Sequence, residues 1–230
     1  MASNQDELAG ILSKLQGFIT SDGVALLEQG LSDTKELLLW IHYFRSHHGS
    51  KGATELLDGC QAAALEAVTY IGLGLSRAAI SAIRLEIDLL LAFSFFCDHP
   101  KEWLRLQNTG DGFKLRSDIY NYHKEVDKEF GQRLTMIDHA QKKSLEQVYR
   151  HLSSYIHGQS PLTTPKSITV SDMVGTPAFA ASVLVVQKET TVCLSNYLLA
   201  VHARDWSELP TEIVQRAATL LGSKKADFFS

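Results

Sequence analysis

The sequence predicts an all-α protein, built as a bundle of six to eight helices. Apolar residues recur at spacings of three and four along nearly the whole chain, which is typical of helices with one buried face. Prolines, which break helices, are scarce: the 230 residues contain five, and the first 99 contain none. Hydrophobic residues make up 45% of the chain and charged residues 21%, which is the composition of a globular protein.

Each helix is placed by this spacing and by the residues that begin or end it. Ser32, Asp33 and Thr34 are good capping residues, and Pro100 ends the helix before it. The predicted helices cover residues 6–19, 32–48, 53–73 and 75–97 (or one long helix weakened at Gly72 and Gly74), 114–130, 134–157, 178–204 and 210–221, and residues 100–107 form a short helical turn. Val183–Val186 would suit a strand by its β-branched content alone, but its neighbours favour helix. We expect residues 1–50 to form an N-terminal helical extension and residues 51–230 the main bundle, or both to form one continuous domain.

Charge and cysteine content argue against several classes of protein. The net charge is −4, from 22 basic and 26 acidic residues, which disfavours a surface built for nonspecific nucleic-acid binding. Residues 101–150 form the one segment with a positive net charge, which is +2 from 10 basic and 8 acidic residues. Three cysteines, far apart and odd in number, indicate reduced thiols rather than a disulfide framework or a zinc site.

We expect a cytoplasmic protein that does not enter a membrane. The first residues, MASNQDELAG, begin acidic and lack the basic and then apolar pattern of a signal peptide. The longest uncharged apolar stretch, around Thr176–Val186, is too short to span a bilayer.

One predicted helix, within residues 145–158, carries a polar face that packing does not explain. Its apolar stripe comprises Leu145, Val148, Leu152 and Ile156. Arg150 and His157 are seven residues apart and share another face, because seven steps of about 100° nearly complete two turns. Ser153 and Ser154 lie between them. A face turned simply toward solvent is the plainer alternative.

This arrangement resembles the motif of the HEPN superfamily, a group of helical proteins associated with nucleic acids. In that motif an arginine, usually followed by Asn, Asp or His, precedes a histidine by four to six intervening residues. Here His151 follows Arg150, and six residues separate Arg150 from His157. The string Tyr149-Arg150-x-Leu152-Ser153-x-Tyr155-x-His157-Gly158 is also similar to helical families related to abortive-infection proteins, and the likeness covers roughly residues 60–160.

The resemblance implies a metal-independent endoribonuclease that needs no cofactor and acts in toxin or antiviral defence. In such proteins the motif helices of two subunits meet at a homodimer interface. Catalysis would rest on His157, as general acid or base at the ribose 2′-hydroxyl, and on Arg150, which stabilises the charged phosphorane. These roles suit an imidazole that titrates near neutrality and a permanently charged guanidinium that matches phosphate oxygens.

Four further residues are expected to support this site. His151, Ser154 and Tyr155 belong to the same helix as the two catalytic candidates. Glu86 lies beside an apolar stripe on the predicted helix 75–97, where a carboxylate needs a partner. It either bonds to another helix as a boundary residue or orients Arg150 or a histidine.

Partners and regulation follow from the same resemblance. RNA is the implied substrate, and an antitoxin or defence-system protein is a further partner of such toxins. One subgroup has a modifiable tyrosine two residues after the histidine, whereas this chain has Gln159 there, so control by that modification is not expected. Two alternatives remain open: a non-catalytic helical module that binds a protein or nucleic acid, and a small-molecule or nucleotide sensor.

No metal site is expected. His42, His47 and His48 cluster near one helix end, but the adjacent pair points about 100° apart, so the three do not converge as ligands. His123 and His139 have no partner at metal-ligand spacing.

Overall fold

A computed structural model describes residues 4–48, 52–166 and 169–229. These residues form an all-α fold without strands, which confirms the predicted fold class. The helices are α1 Asn4–Phe18, α2 Val24–Asp33, α3 Lys35–His48, α4 Thr54–Gly72, α5 Ser76–Phe96, α6 Pro100–Thr109, α7 Arg116–Val126, α8 Phe130–Gln141, α9 Leu145–Ile156, α10 Pro177–Val201, α11 Thr211–Leu221 and α12 Lys225–Phe228. Val183–Val186 lies within α10.

The described helices outnumber the six to eight expected because the predicted helix 134–157 is divided and because α2 and α12 were not predicted. The predicted pair around Gly131 is in fact the three helices α7, α8 and α9, and Gly131 lies inside α8. The first break falls at Asp127, whose carboxylate pairs with the buried Arg133 one turn into α8. The second falls at Lys142, which has a left-handed φ of 58° that a helix cannot continue through.

Thr34, one of the capping residues predicted for α3, acts on the preceding helix instead. Thr34 Oγ1 donates to the carbonyl oxygens of Gly30 and Leu31, both at 3.1 Å, so its hydroxyl ends α2. The same side chain therefore does not cap the N-terminus of α3.

Helices α1 and α2 are joined by a π-helical turn, Ile19–Gly23, so the chain stays helical from Asn4 to Asp33. Gly23, in this turn, approaches the end of α4 very closely. A Cβ atom at Gly23 would lie 2.2 Å from the carbonyl oxygen of Gly72, well inside van der Waals contact. Glycine is therefore required at this crossing.

The chain divides into two compact units. Unit 1 comprises Met1–Lys35, Ala62–Leu85 and Glu146–Thr190, and unit 2 comprises Glu36–Gln61, Glu86–Leu145 and Thr191–Ser230. Helices α4, α5 and α10 contribute residues to both units. The expected boundary near residue 50 stays a prediction, and residues 49–51 lie outside the described residues.

Unit 2 has an aromatic core. Trp40 stacks on Phe44 with ring centroids 5.5 Å apart, and Phe44 contacts Phe93 at 5.1 Å. The fully buried large aromatic side chains of this unit are Trp40, Phe44, Phe93, Phe96, Phe130, Tyr197 and Phe228.

Unit 1 has an aliphatic core and a more apolar surface. Its buried side chains include Val68, Ile71, Ile80, Ile83 and Leu152. Its exposed large apolar side chains are Leu8, Leu12, Val24, Leu31, Leu65, Leu85, Ile156, Leu162, Val170, Met173 and Val185.

One stretch, Val170–Val201, is long and apolar enough by composition to cross a membrane. Its most apolar window has a mean hydropathy of 1.3, and 22% of that window is buried. The expectation that no segment enters a membrane rested only on the uncharged stretch around Thr176–Val186, which is shorter. Core helices of soluble proteins pass the same test, so that expectation stays a prediction.

Candidate functional site

Helix α9 is amphipathic, and its buried side is close to the one predicted. Leu145, Val148 and Leu152 are buried in the structure, as their spacing indicates. Ile156 differs: it is the last residue of the helix and is 45% exposed. Two residues later, Gly158 takes a left-handed φ of 56°, the conformation that favours glycine at a helix C-terminus. The chain therefore turns away before Ile156 is covered.

The two catalytic candidates, Arg150 and His157, are both exposed. Helical geometry places them about 20° apart around α9 and about 10 Å apart along its axis. His157 follows the last helical residue, but its backbone N–H still donates to the carbonyl of Ser153 at 3.0 Å. We call the face that carries Arg150, Ser153, Ser154 and His157 the motif face.

Ser154 and Glu146 make the motif face different from the face that the sequence predicts. Ser154 Oγ donates to the carbonyl of His151 at 2.7 Å, so its proton is held by the helix backbone. Glu146 is exposed and lies four residues before Arg150, hence on the same face. This carboxylate was not singled out from the sequence, and it lowers the positive charge of the face.

The supporting residues His151 and Tyr155 lie on a different side of α9 and line a cavity of about 150 Å³. Their rings meet edge to face, with centroids 5.3 Å apart, and Tyr155 contacts Phe179 of α10 at 5.8 Å. The structure therefore brings these two residues together with α10 and separates them from the motif face.

A cation–π contact, missed by the sequence analysis, joins α9 to α5. The guanidinium carbon of Arg84 lies 3.4 Å from the centroid of the Tyr149 ring. This contact fixes the residue that directly precedes Arg150. No sequence pattern links two residues so far apart in the chain.

Glu86 is completely buried, but it belongs to unit 2, whereas Arg150 belongs to unit 1. Its backbone carbonyl accepts a hydrogen bond from the thiol of Cys60 at 3.6 Å. Burial raises the pKa of the Cys60 thiol, and the nearby Glu86 raises it further, so this thiol stays protonated. The orienting role of Glu86 stays a prediction.

A larger cavity, of about 340 Å³, lies in unit 1 at the N-terminus of α5. Its polar wall comprises Ser76, Arg77, Lys166 and Asp172, and its apolar wall includes Leu75, Met173 and Phe179. We call it the Ser76 cavity. None of its residues was singled out from the sequence, because they come from α5 and from a segment some 90 residues later.

Unit 2 contains a buried polar cluster that the sequence also did not reveal. Ser94 Oγ donates to the carbonyl of Leu91 at 2.8 Å and lies 2.7 Å from Tyr197 Oη and 3.2 Å from His123 Nε2. Since a serine has one proton, Tyr197 and His123 act as donors to it. Burial lowers the pKa of His123 to about 4, so the imidazole is neutral at pH 7.

The clustered histidines do not form a metal site in the residues described. Within that part of the chain no group of three or more His, Cys, Asp or Glu side chains is placed to hold an ion. The His47 ring stacks on Tyr43 at 4.3 Å, and its Nδ1 lies 2.9 Å from the Tyr43 carbonyl oxygen.

Comparison with known proteins identifies no relative of this chain. No family model matches the sequence, no curated protein matches it, and no solved structure matches the fold. The function is therefore inferred from the residues and their geometry.

Proposed function

We propose that the protein is a metal-independent endoribonuclease of HEPN type that acts in toxin or antiviral defence. The observation that carries the proposal is the motif face of α9, where Arg150 and His157 are both exposed and nearly in line. RNA cleavage through the 2′-hydroxyl needs a group that stabilises negative charge and a group that exchanges protons. A guanidinium supplies the first, and an imidazole supplies the second.

The reaction needs no cofactor because RNA supplies its own nucleophile. His157 removes the proton of the ribose 2′-hydroxyl, and the 2′-oxygen attacks the adjacent phosphorus. The bond from phosphorus to the 5′-oxygen breaks, and the proton that His157 took from the 2′-hydroxyl passes from its imidazolium to the leaving 5′-oxygen, directly or through water. Arg150 stabilises the extra negative charge on the phosphorane oxygens. The products are a 2′,3′-cyclic phosphate and a 5′-hydroxyl.

The separation of the two groups favours a site shared between two copies of the chain. About 10 Å along the axis of α9 is a long span for one phosphate and one 2′-hydroxyl. A second α9 packed across a two-fold axis would bring the arginine of one copy toward the histidine of the other. A homodimer of this kind is part of the proposal.

Cleavage of mixed RNA by the purified protein in the presence of EDTA tests the activity. We expect His157→Ala and Arg150→Ala each to lower the rate at least about 100-fold, the usual contribution of such groups. The exposed His139 and Arg105 provide matched controls, and the same substitutions there leave the rate unchanged. Equal cleavage by wild type and His157→Ala would show the assignment to be wrong.

Mixing the two inactive variants tests the shared site. A heterodimer of Arg150→Ala and His157→Ala retains one intact pair if arginine and histidine come from different subunits. We expect the mixture to recover part of the activity, with dimerisation checked by light scattering. A mixture that dimerises and stays inactive contradicts a shared site.

Exposed apolar and acidic groups near α9 favour a second candidate, a non-catalytic helical module that binds a protein partner or nucleic acid. Ile156 is 45% exposed and Leu162 is 87% exposed, which suits contact with another protein. Glu146 repels phosphate on the motif face itself. A stable dimer that survives both alanine substitutions and never cleaves RNA would support this candidate.

A further inference from the structure

We propose that the Ser76 cavity binds a small phosphate ester with an apolar or aromatic body. The inference is independent of the ribonuclease proposal, because neither Arg150 nor His157 lines this cavity. Three features of its polar wall point to an anion, and its apolar wall points to the rest of the ligand.

The first feature is a buried hydroxyl without a partner. Ser76 is 2% exposed and lines the cavity, and its buried Oγ makes no hydrogen bond within the described residues. A buried hydroxyl left unpaired destabilises the folded state, so such groups are rare in folded proteins. A ligand oxygen in the cavity would give this hydroxyl its partner.

The second feature is the N-terminus of α5, whose first residues Ser76, Arg77 and Ala78 line the cavity. Ser76 is the first residue of this 21-residue helix, and the preceding Leu75 has no side-chain acceptor. The N–H group of Ala79 donates a hydrogen bond to the carbonyl oxygen of Leu75 at 3.0 Å. The N–H groups in the first turn of a helix point toward its N-terminal end, where they and the helix dipole favour an anion.

The third feature is the charge balance of the wall. Arg77 donates to the carbonyl of Thr163 at 2.7 Å, which uses one of its five N–H groups and holds the side chain in place. Lys166 adds a second cation. Asp172 is the opposing charge, but its carboxylate pairs with Lys14 at 3.4 Å and accepts from the Thr169 N–H at 2.9 Å.

The size of the cavity and its apolar wall indicate which class of anion binds. Two cations and a helix N-terminus suit a doubly charged phosphate monoester better than a carboxylate. The cavity of about 340 Å³ has room for more than the phosphate, and Leu75, Met173 and Phe179 offer an apolar surface to the rest. A free phosphate would fill only the polar end.

Calorimetry and thermal unfolding with phenyl phosphate, AMP, benzoate and inorganic phosphate test the proposal. We expect phenyl phosphate and AMP to bind and to raise Tm, and benzoate and inorganic phosphate to bind at least tenfold more weakly. No binding of either ester at 10 mM overturns the site. Benzoate that binds as tightly as phenyl phosphate overturns the choice of phosphate.

Variants locate the binding. Ser76→Ala and Lys166→Met are each expected to weaken phenyl phosphate binding about tenfold or more, since each removes a hydrogen bond to a charged group. Ser81→Ala, on the same helix, and Lys101→Met, in unit 2, are the matched controls with exposed side chains. Unchanged affinity in both Ser76→Ala and Lys166→Met would overturn the assignment.

A larger side chain in the wall of the Ser76 cavity tests the proposal without removing a polar group. A Cβ at Gly175 would lie 3.5 Å from Ser76 Oγ and 3.4 Å from the Gly74 carbonyl oxygen, which is ordinary contact. Gly175→Ala should therefore fold normally, with an unchanged Tm in the absence of ligand, and weaken phenyl phosphate binding. A folded Gly175→Ala protein that binds as wild type does would contradict a ligand seated against Ser76.

Discussion

Two buried serines at opposite ends of α5 have opposite surroundings. Ser94, in unit 2, is hydrogen-bonded to Leu91, His123 and Tyr197. Ser76, in unit 1, is equally buried, yet its hydroxyl has no partner among the described residues. The first serine completes a closed polar cluster in an aromatic core. The second faces a cavity with two cations.

The difference separates polar groups that stabilise a fold from polar groups that are available to a ligand. In the Ser94 cluster, the buried polar atoms satisfy one another, so their contribution is already present in the free protein. In unit 1, the cavity wall leaves donors open, and their contribution would appear only with a ligand bound.

The largest expected effect is a loss of free energy of unfolding when an aromatic ring is removed from the core. Trp40→Ala should lower the free energy of unfolding by about 3–5 kcal/mol, because a fully buried ring in unit 2 is lost. Phe179→Ala, in a cavity wall of unit 1, should cost about 1–2 kcal/mol, since that ring is only half-buried. Urea unfolding measures both, with Trp40→Phe as an intermediate variant. Equal losses at the two positions would contradict the contrast.

The second effect is a dependence of stability on pH. His123 has a pKa of about 4 in the folded protein, lowered mainly by burial, against about 6.5 when unfolded. Between these values the unfolded chain binds the extra proton. The stability is therefore complete above pH 6.5 and declines by about 3 kcal/mol as the pH falls to 4. His123→Gln should flatten this part of the curve, and an unchanged slope would exclude His123 as its source.

The third effect is a difference in sign between the two serines. Ser94→Ala should lower the free energy of unfolding by about 1–2 kcal/mol, because Tyr197 and His123 lose their acceptor. Ser76→Ala, without ligand, should leave stability unchanged or raise it by up to about 1 kcal/mol, since an unpaired hydroxyl is removed. Urea unfolding of both variants at pH 7 gives the two signs. Losses of equal size would show that Ser76 has a partner.

The smallest effect concerns Asp138, whose pKa burial raises to about 6. Here the folded state binds the proton more tightly, so the destabilisation is present above pH 6 and is relieved as the pH falls toward 4. Asp138→Asn should raise the free energy of unfolding at pH 7 by about 1 kcal/mol or less, because water screens the half-exposed carboxyl. The gain should vanish at pH 4, which urea titrations at both values would show.

Much of the helical structure was predictable because apolar spacing and end signals act locally. Pro100 is the first residue of α6, and Pro210 directly precedes α11, as expected. Leu145, Val148 and Leu152 are buried on one side of α9. The breaks were less predictable: Lys142 ends α8 with a left-handed φ, which a lysine rarely adopts.

The site residues were predictable only where one helix carries them. Arg150 and His157 share a face because their spacing fixes it. The Ser76 cavity and the Ser94 cluster each join residues from distant segments, such as Ser76 with Lys166 and Ser94 with Tyr197. Tertiary packing creates these contacts, and no local pattern encodes them.

The close crossing of Gly23 and Gly72 bears on the ancestry of the chain. Because a Cβ at Gly23 would meet the Gly72 carbonyl oxygen at 2.2 Å, substitution by any other residue would force the two segments apart. A Cβ at Gly72 would itself lie 3.0 Å from the Cβ of Leu27. Homologues that have drifted beyond recognition elsewhere should still keep this pair, 49 positions apart, as a marker of common descent.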